Sequence, residues 1–320
     1  MKQFIFFAMA MLGVFKIQAQ NGQTEKQAIA LNKEIFKIIK KNSLFTDSLN
    51  WKNLEIENKA LVYNDNNANN EKIIYDFYTK KLREIGDKHS FFISSKQINE
   101  IRNATIAEIP QGEYLGNGVG WVKVPRLMTF DENLDIQFAD TIRSIIEKID
   151  TDNTITGWIV DLRHNGGGNM WPMIAGLNAL IDDATAGYFV QGKSKVPWSN
   201  KNGTINGKPK PINTYKIKNN TVKIAVLFDA NTGSSGEMTA VSFLGLPNVK
   251  SFGQKSAGYT TANYTFRLSN GGQLLLARTY VMDRTGESYK GEITPDVVVS
   301  DLSNTKNDNV IKTAIEWLSE

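Results

Sequence analysis

Apolar positions recur along this chain with two different periods. Between residues 22 and 86 they follow a helical period. Ala28, Leu31, Ile35, Ile38 and Ile39 form one stripe, and Trp51, Leu54, Ala60 and Leu61 a second. Ile73, Ile74, Phe77, Leu82 and Ile85 form a third, which stops near Gly86. The Asn- and Asp-rich run 64–70 between the last two reads as a loop.

The texture changes from Tyr114 onward. Val119 to Val124 alternates like a strand and is closed by Pro125. Leu134 to Ile149 reads as an amphipathic helix, and Gly157 to Leu162 as a buried strand ended by Asn165-Gly166-Gly167-Gly168. Met170 to Ile181 reads as a helix and Val222 to Phe228 as a third strand; Met238 to Leu246 returns to helical spacing. Alternating strands and helices predict an α/β fold with a largely parallel sheet. Residues 265–268 and 273–281, separated by the turn 269–272 with Asn270-Gly271-Gly272, predict an antiparallel hairpin. Residues 187–220, rich in Lys, Asn, Gly and Pro, read as an exposed hairpin or lid, and lysines such as Lys193 and Lys195 as its solvated face.

The extreme N-terminus changes the picture. Met1-Lys2-Gln3 precedes an apolar run from Phe4 to Phe15, and small Ala19 suits cleavage. Residues 1–19 therefore read as a secretory signal peptide and Gln20 as the first mature residue, giving an exported protein, periplasmic or secreted. The apolar run is shorter than the roughly 20 residues a spanning helix needs, so stable membrane insertion is not expected. The chain has no cysteine, which excludes disulfides, thiol catalysis and thiolate metal sites. Two histidines, His89 and His164, are too few for a His-rich zinc site, and no metal or organic cofactor is expected. The formal charge of +4 falls to +2 if Lys2 and Lys16 leave with the signal, which gives no reason to expect nucleic acid as a partner.

Ala230-Asn231-Thr232-Gly233-Ser234-Ser235-Gly236-Glu237 follows the third strand and opens a helix. It sets a hydroxyl at a helix N-terminus, where free amides and the dipole favour negative charge. That is the environment of a nucleophilic serine, although most such serines only cap a helix. The order is not Gly-x-Ser-x-Gly. Strands ending at 162 and 228 both run into Gly-rich turns, so both turns face the carboxyl edge of the sheet, where α/β folds bind ligands. The amides of Gly168 and Ser235 could then share an oxyanion, unless the glycines serve only the turn. The base would be His89, in Gly86-Asp87-Lys88-His89-Ser90, or His164 beside the glycines.

Asp161-Leu162-Arg163-His164-Asn165-Gly166-Gly167-Gly168, Gly233-Ser234-Ser235-Gly236-Glu237, Gly253-Gln254-Lys255-Ser256-Ala257-Gly258 and Ile293-Thr294-Pro295-Asp296 together resemble the ordered motifs of one serine protease family. That family contains the tail-specific and C-terminal-processing proteases, the tricorn protease core and the interphotoreceptor retinoid-binding protein repeats. The resemblance spans residues 114–300. It implies an α/β core of the ClpP/crotonase kind over 114–320, after a helical N-terminal region over 20–113. It makes Ser234 the nucleophile and the amides of Gly168 and Ser235 the oxyanion hole. Glu237 falls on the family's helix glutamate and Ser256 on a hydroxyl position near the site. Tyr259 stands where the tail-specific branch carries its lysine, and Lys255 does not match that position. The tricorn-like branch uses a histidine from an N-terminal segment, which Asp87-Lys88-His89-Ser90 resembles with Lys88 in place of glycine. His89 is then the base, with Ser90, Asp87 or a water as its link to Glu292. Ser90 to Tyr114 is too short for the PDZ domain that many members insert there. The implied reaction is peptide-bond hydrolysis through an acyl-enzyme, with a peptide or protein substrate. The rival reading is a non-catalytic protein binding a peptide or apolar ligand on the same scaffold, and an esterase on the same serine is a third.

Overall fold

The computed structural model describes residues 23–65, 69–103, 108–202, 204–206, 209, 214–300 and 308–320. The expected signal peptide lies outside them, as do Lys208 and Lys210 of the basic hairpin.

Three helices open the described chain: α1 (Glu25–Asn42), α2 (Trp51–Lys59) and α3 (Asn70–Glu84). Thr24 caps α1 through a capping box with Gln27, which fixes its start. The expected stripe of α1 is buried at Ala28, Leu31, Ile35 and Ile39. In α3 the most buried face includes Tyr75 and Tyr78 beside Ile74 and Leu82, while Ile73 and Phe77 pack at the margin. The tyrosines can turn inward because their hydroxyls find partners: Tyr78 Oη donates to Asn32 Oδ1 at 2.7 Å. A short strand β1 (Phe91–Ile93) and helix α4 (Ser95–Arg102) follow; helical periodicity did not mark either.

The core then runs β2 (Gln111–Gly116), β3 (Val119–Lys123), α5 (Glu132–Asp152), β4 (Gly157–Asp161) and α6 (Met170–Gly176). Helix α6 is shorter than its apolar run and passes into a single 3-10 turn at Asn178–Leu180. Strands β5 (Thr185–Gln191), β6 (Ser194–Lys201) and β7 (Thr204–Ile205) make the expected hairpin region. It is not merely exposed, because Trp198 and Ile205 join the main core. Lys195 Nζ lies 3.8 Å from the centre of the Tyr188 ring. Next come β8 (Lys223–Phe228), α7 (Ser235–Val241), β9 (Val249–Gly253), β10 (Thr261–Arg267), β11 (Gln273–Met282), β12 (Ser288–Tyr289), β13 (Val297–Val298) and α8 (Asn309–Ser319).

Among the described residues these strands form two sheets. The first has the order β13-β9-β8-β4-β3-β2 and is parallel except for β2. Its central strands are buried on both faces, hence their continuous apolar sequences. Trp158, Val160, Ile224 and Val226 join the cluster that takes in α5, α6 and α7, whereas Ile159, Ala225 and Leu227 pack with Val310, Ala314 and Leu318 of α8. The second sheet has the order β1-β11-β5-β6-β7, with β10 and β12 also paired to β11. Leu268, Leu274 and Leu276 of the β10–β11 hairpin share one hydrophobic cluster with α1, α2 and α3. The N-terminal helices therefore pack on the hairpin, which brings the α3–β1 loop to the mouth of the parallel sheet. Residue 114, the expected start of the core, falls inside β2.

Candidate active site

Ser234 follows β8 and is the N-cap residue of α7. Its φ of 52° and ψ of −119° are a left-handed conformation that costs a non-glycine residue about 1–3 kcal/mol. Its neighbours hold it there. The Ser234 amide donates to Glu237 Oε2 at 2.8 Å, and its carbonyl accepts from the Met238 amide at 3.0 Å. Gly236 presses against the strand-β4 turn so closely that a Cβ there would meet the Asn165 carbonyl oxygen at 2.3 Å. The Gly233 amide donates to that same oxygen at 3.0 Å.

The β4 turn stands opposite. Asn165 is fully buried; its side chain donates to the Val124 carbonyl at 3.0 Å and accepts from the Gly167 amide at 3.0 Å. Gly168 has φ +120°, and a Cβ there would fall 1.8 Å from the Leu127 carbonyl oxygen, so only glycine fits. Ser235 Oγ donates to the Gly168 carbonyl at 2.6 Å and ties the two turns together. Among the described residues, neither the Gly168 amide nor the Ser235 amide donates to a protein acceptor. Both turns thus leave an N–H free beside Ser234.

His89 comes from the other half of the molecule. Its loop is shaped by Asp87, which is fully buried and accepts from the amides of His89 at 3.0 Å and Ser90 at 2.9 Å. Ser90 Oγ donates to Asp87 Oδ2 and accepts from the Ala277 amide of β11 at 2.9 Å. Arg83 donates to the carbonyls of Asp87 and Ser90. Asn263 Nδ2 donates to the His89 carbonyl at 2.9 Å. So held, His89 Nε2 lies 2.9 Å from Ser234 Oγ, and Nδ1 lies 2.8 Å from Thr261 Oγ1. The imidazole stacks on Tyr259, with ring centres 5.5 Å apart and planes inclined by 16°. Burial lowers its pKa from the usual 6.5 to about 4, against the field of Asp87. The ring is therefore neutral at neutral pH.

The other expected residues separate into two groups. Glu237 is fully buried under the site. It accepts from Ser234 N, from Ser256 Oγ at 2.5 Å and from the Gly258 amide at 2.8 Å. Burial pushes it up to about 7, with those donors acting in the opposite sense. Ser256 passes the link on by accepting from the Ile293 amide at 2.8 Å. Glu292 does not touch the imidazole. It is exposed, with Oε2 3.7 Å from Lys255 Nζ, and it shares with His89 only a side cavity of about 260 Å³. Of the expected links to His89, those through Ser90 and Asp87 are not formed, which leaves the one through water across that cavity. The chain at 291–292 stays on the far side of that cavity, and both link residues are spent on folding their own loop. His164 is also remote in contact: its exposed ring lies 3.0 Å from Asp229 Oδ2 and beside Asn231.

Thr261 and Asn263 are the residues that sequence reasoning missed. Both sit on β10, 172 and 174 residues from His89, and no local pattern marks them. The whole constellation opens on a cleft of about 840 Å³. Met128, Phe130, Met170, Trp171, Phe189 and Met238 give it an apolar wall, and its charged lining residues are Arg83 and Lys88. Among the described residues no cluster of three or more His, Cys, Asp or Glu could hold a metal ion, and no helix is long and apolar enough to cross a membrane.

A hydroxyl in hydrogen-bond contact with a neutral imidazole, beside two free amides on Gly-rich turns, is the site of a serine-type hydrolase. The profile of peptidase family S41 matches residues 118–299, more than half of the chain. The chain belongs to peptidase family S41 and is a serine-type peptidase. It is similar to the nisin-resistance protein of Lactococcus lactis subsp. lactis, with 37% identity over 280 residues, covering 86% of this chain and 82% of the relative. Among solved structures it resembles a lipoprotein from Streptococcus agalactiae, with TM-score 0.73 and 27% identity, covering 91% of this chain and 96% of that one. It also shares its fold with the photosystem II D1 C-terminal processing protease, with TM-score 0.58 and 12% identity over 85% of this chain and 93% of that one.

Proposed function

We propose that this chain is an exported peptidase in which Ser234 is the nucleophile and His89 the general base, cleaving peptides through an acyl-enzyme. The observation that carries the reading is the 2.9 Å approach of His89 Nε2 to a serine hydroxyl held at positive φ. A neutral imidazole takes the serine proton as Oγ attacks the scissile carbonyl, then gives it to the leaving amine. The Gly168 and Ser235 amides receive the oxyanion. Water, activated by the same imidazole, releases the acyl group. Glu237 and Ser256 keep Ser234 and the 256–259 segment in register without touching substrate. Tyr259 in place of the lysine of the tail-specific branch, and exposed Lys255, support the histidine mechanism. Residues 1–19 serve as the export signal.

The apolar wall favours substrates with aliphatic or aromatic side chains next to the scissile bond. The likeness to a nisin-resistance protein makes nisin the first peptide to test. Purified protein lacking residues 1–19 is incubated with nisin and with unrelated apolar peptides, and products are read by mass spectrometry beside Ser234→Ala. Cleavage by the wild type alone supports the reading. Peptides bound tightly but left intact would replace it with the binding-protein reading.

A further inference from the structure

Among the described residues the base has no hydrogen-bonded carboxylate partner. Among the described residues, each acid near the site is committed elsewhere. Asp87 receives the amides and hydroxyl of its own loop. Glu237 receives Ser234 N, Ser256 and Gly258. Glu292 faces Lys255. Yet a histidine base needs one defined tautomer, with Nδ1 protonated and Nε2 bare toward the serine. Among the described residues the side chain within hydrogen-bond reach of Nδ1 is Thr261.

We propose that Thr261 is the positioning residue of His89, holding the imidazole with its proton on Nδ1 and its lone pair on Nε2 toward Ser234. The proposal rests on the peptidase reading of the site. Thr261 suits the task for three reasons. It is buried, at 8% exposure, so its hydroxyl is largely shielded from bulk water. It opens β10 and pairs with Tyr280 of β11, so the ladder fixes its backbone, and its branched Cβ restricts χ1. Its hydroxyl oxygen lies 2.8 Å from Nδ1, and by accepting there it leaves the ring proton on Nδ1. Two residues on, Asn263 holds the His89 carbonyl at 2.9 Å, so β10 grips both ends of the residue.

An uncharged partner has a consequence. The imidazolium formed during attack has no hydrogen-bonded carboxylate and feels buried Asp87 only through its field, so the base stays unprotonated to lower pH than in an Asp-backed site. The charged and titratable groups around the ring are Arg83 on α3, Asp87 and Lys88 on its own loop, and Tyr259 stacked upon it. Glu237 lies behind Ser234, and Lys290 and Glu292 lie across the side cavity.

The test uses the two-histidine content of the chain. In ¹⁵N-histidine-labelled His164→Asn protein, long-range ¹H–¹⁵N spectra report the His89 tautomer alone. The proposal expects Nδ1–H at pH 7. Thr261→Val keeps the shape and removes the hydroxyl. It should mix in the Nε2–H form, lower the His89 titration midpoint, and slow labelling of Ser234 by a fluorophosphonate probe about tenfold or more. Thr261→Ser should restore all three. A wild-type spectrum dominated by Nε2–H overturns the proposal, as does Thr261→Val with wild-type tautomer and labelling rate. If Thr261→Val does not fold, the wild-type and Thr261→Ser spectra still decide. Failure of wild type to label would sink the peptidase reading, while the tautomer spectrum continues to judge Thr261.

Discussion

Ser234 and His89 meet across 2.9 Å, but the chain builds the two sides of that contact differently. The serine side is made by backbone geometry local to two strand ends. β8 and β4 deliver Gly-rich turns to the same edge of a parallel sheet, and the residues that shape each turn lie within a few positions of it or on its neighbour. The histidine side is assembled from distant pieces. Asp87 and Ser90 fold the loop, Arg83 and Ala277 anchor it, and Thr261 and Asn263 of β10 seize the histidine. One side holds strain and resists substitution by steric necessity; the other holds an orientation and resists by hydrogen bonding.

The largest effect should come from the contact itself. Ser234→Ala should abolish turnover, His89→Ala should lower kcat/KM on the order of 10²–10⁴-fold, and His164→Ala should change it little. Steady-state kinetics on one peptide separates the three, and equal losses at His89 and His164 would break the comparison. Next in size is the serine side's steric demand. Gly168→Ala places a methyl group on the Leu127 carbonyl, so it should destabilise the fold by roughly 3 kcal/mol or more and remove activity with it. A melting temperature within a degree or two of wild type would show that the turn relaxes freely.

Beneath the serine, Glu237→Ala leaves the Ser234 and Gly258 amides and the Ser256 hydroxyl without their acceptor, at a cost of about 2–4 kcal/mol. The two buried titrating groups pull stability in opposite directions. Glu237 has its folded pKa raised from 4.5 to about 7, so the native state holds the extra proton between those values and stability falls as pH rises through that window. His89 has its folded pKa lowered from 6.5 to about 4, so the unfolded chain holds the extra proton and stability falls as pH drops from 6.5 toward 4. Chemical unfolding across pH 4–7.5 should show Glu237→Gln gaining stability relative to wild type toward the alkaline end, and His89→Phe gaining it toward the acid end. Parallel curves would remove both assignments.

The same division explains what could be read in the sequence. Gly166-Gly167-Gly168 and Gly233-Ser234-Ser235-Gly236 are local signals because local backbone geometry demanded glycine and a helix start. His89 stood out through rarity and through its resemblance to a known segment. Its ring partner did not, because Thr261 looks like any residue beginning a strand, and only the pairing of β10 with β11 carries it to the imidazole. Glu292 shows the converse, since its motif position points to the site while its side chain faces Lys255 across the side cavity it shares with His89. Helix α8 is legible in the helical spacing of Val310, Ala314 and Leu318. Strand β1 was not legible, because three residues carry no period.

The central claim is that Ser234 is activated by a histidine that is neutral over most of the physiological pH range. The most direct measurement is fluorophosphonate labelling of the protein without residues 1–19, read by intact mass from pH 3.5 to 8, beside Ser234→Ala and His89→Ala. The account predicts a single adduct in wild type, none in Ser234→Ala and very little in His89→Ala, with a rate that rises through about pH 4 and is flat above pH 6. Labelling of His89→Ala at the wild-type rate, or a folded wild type that takes no label at any pH, would contradict it.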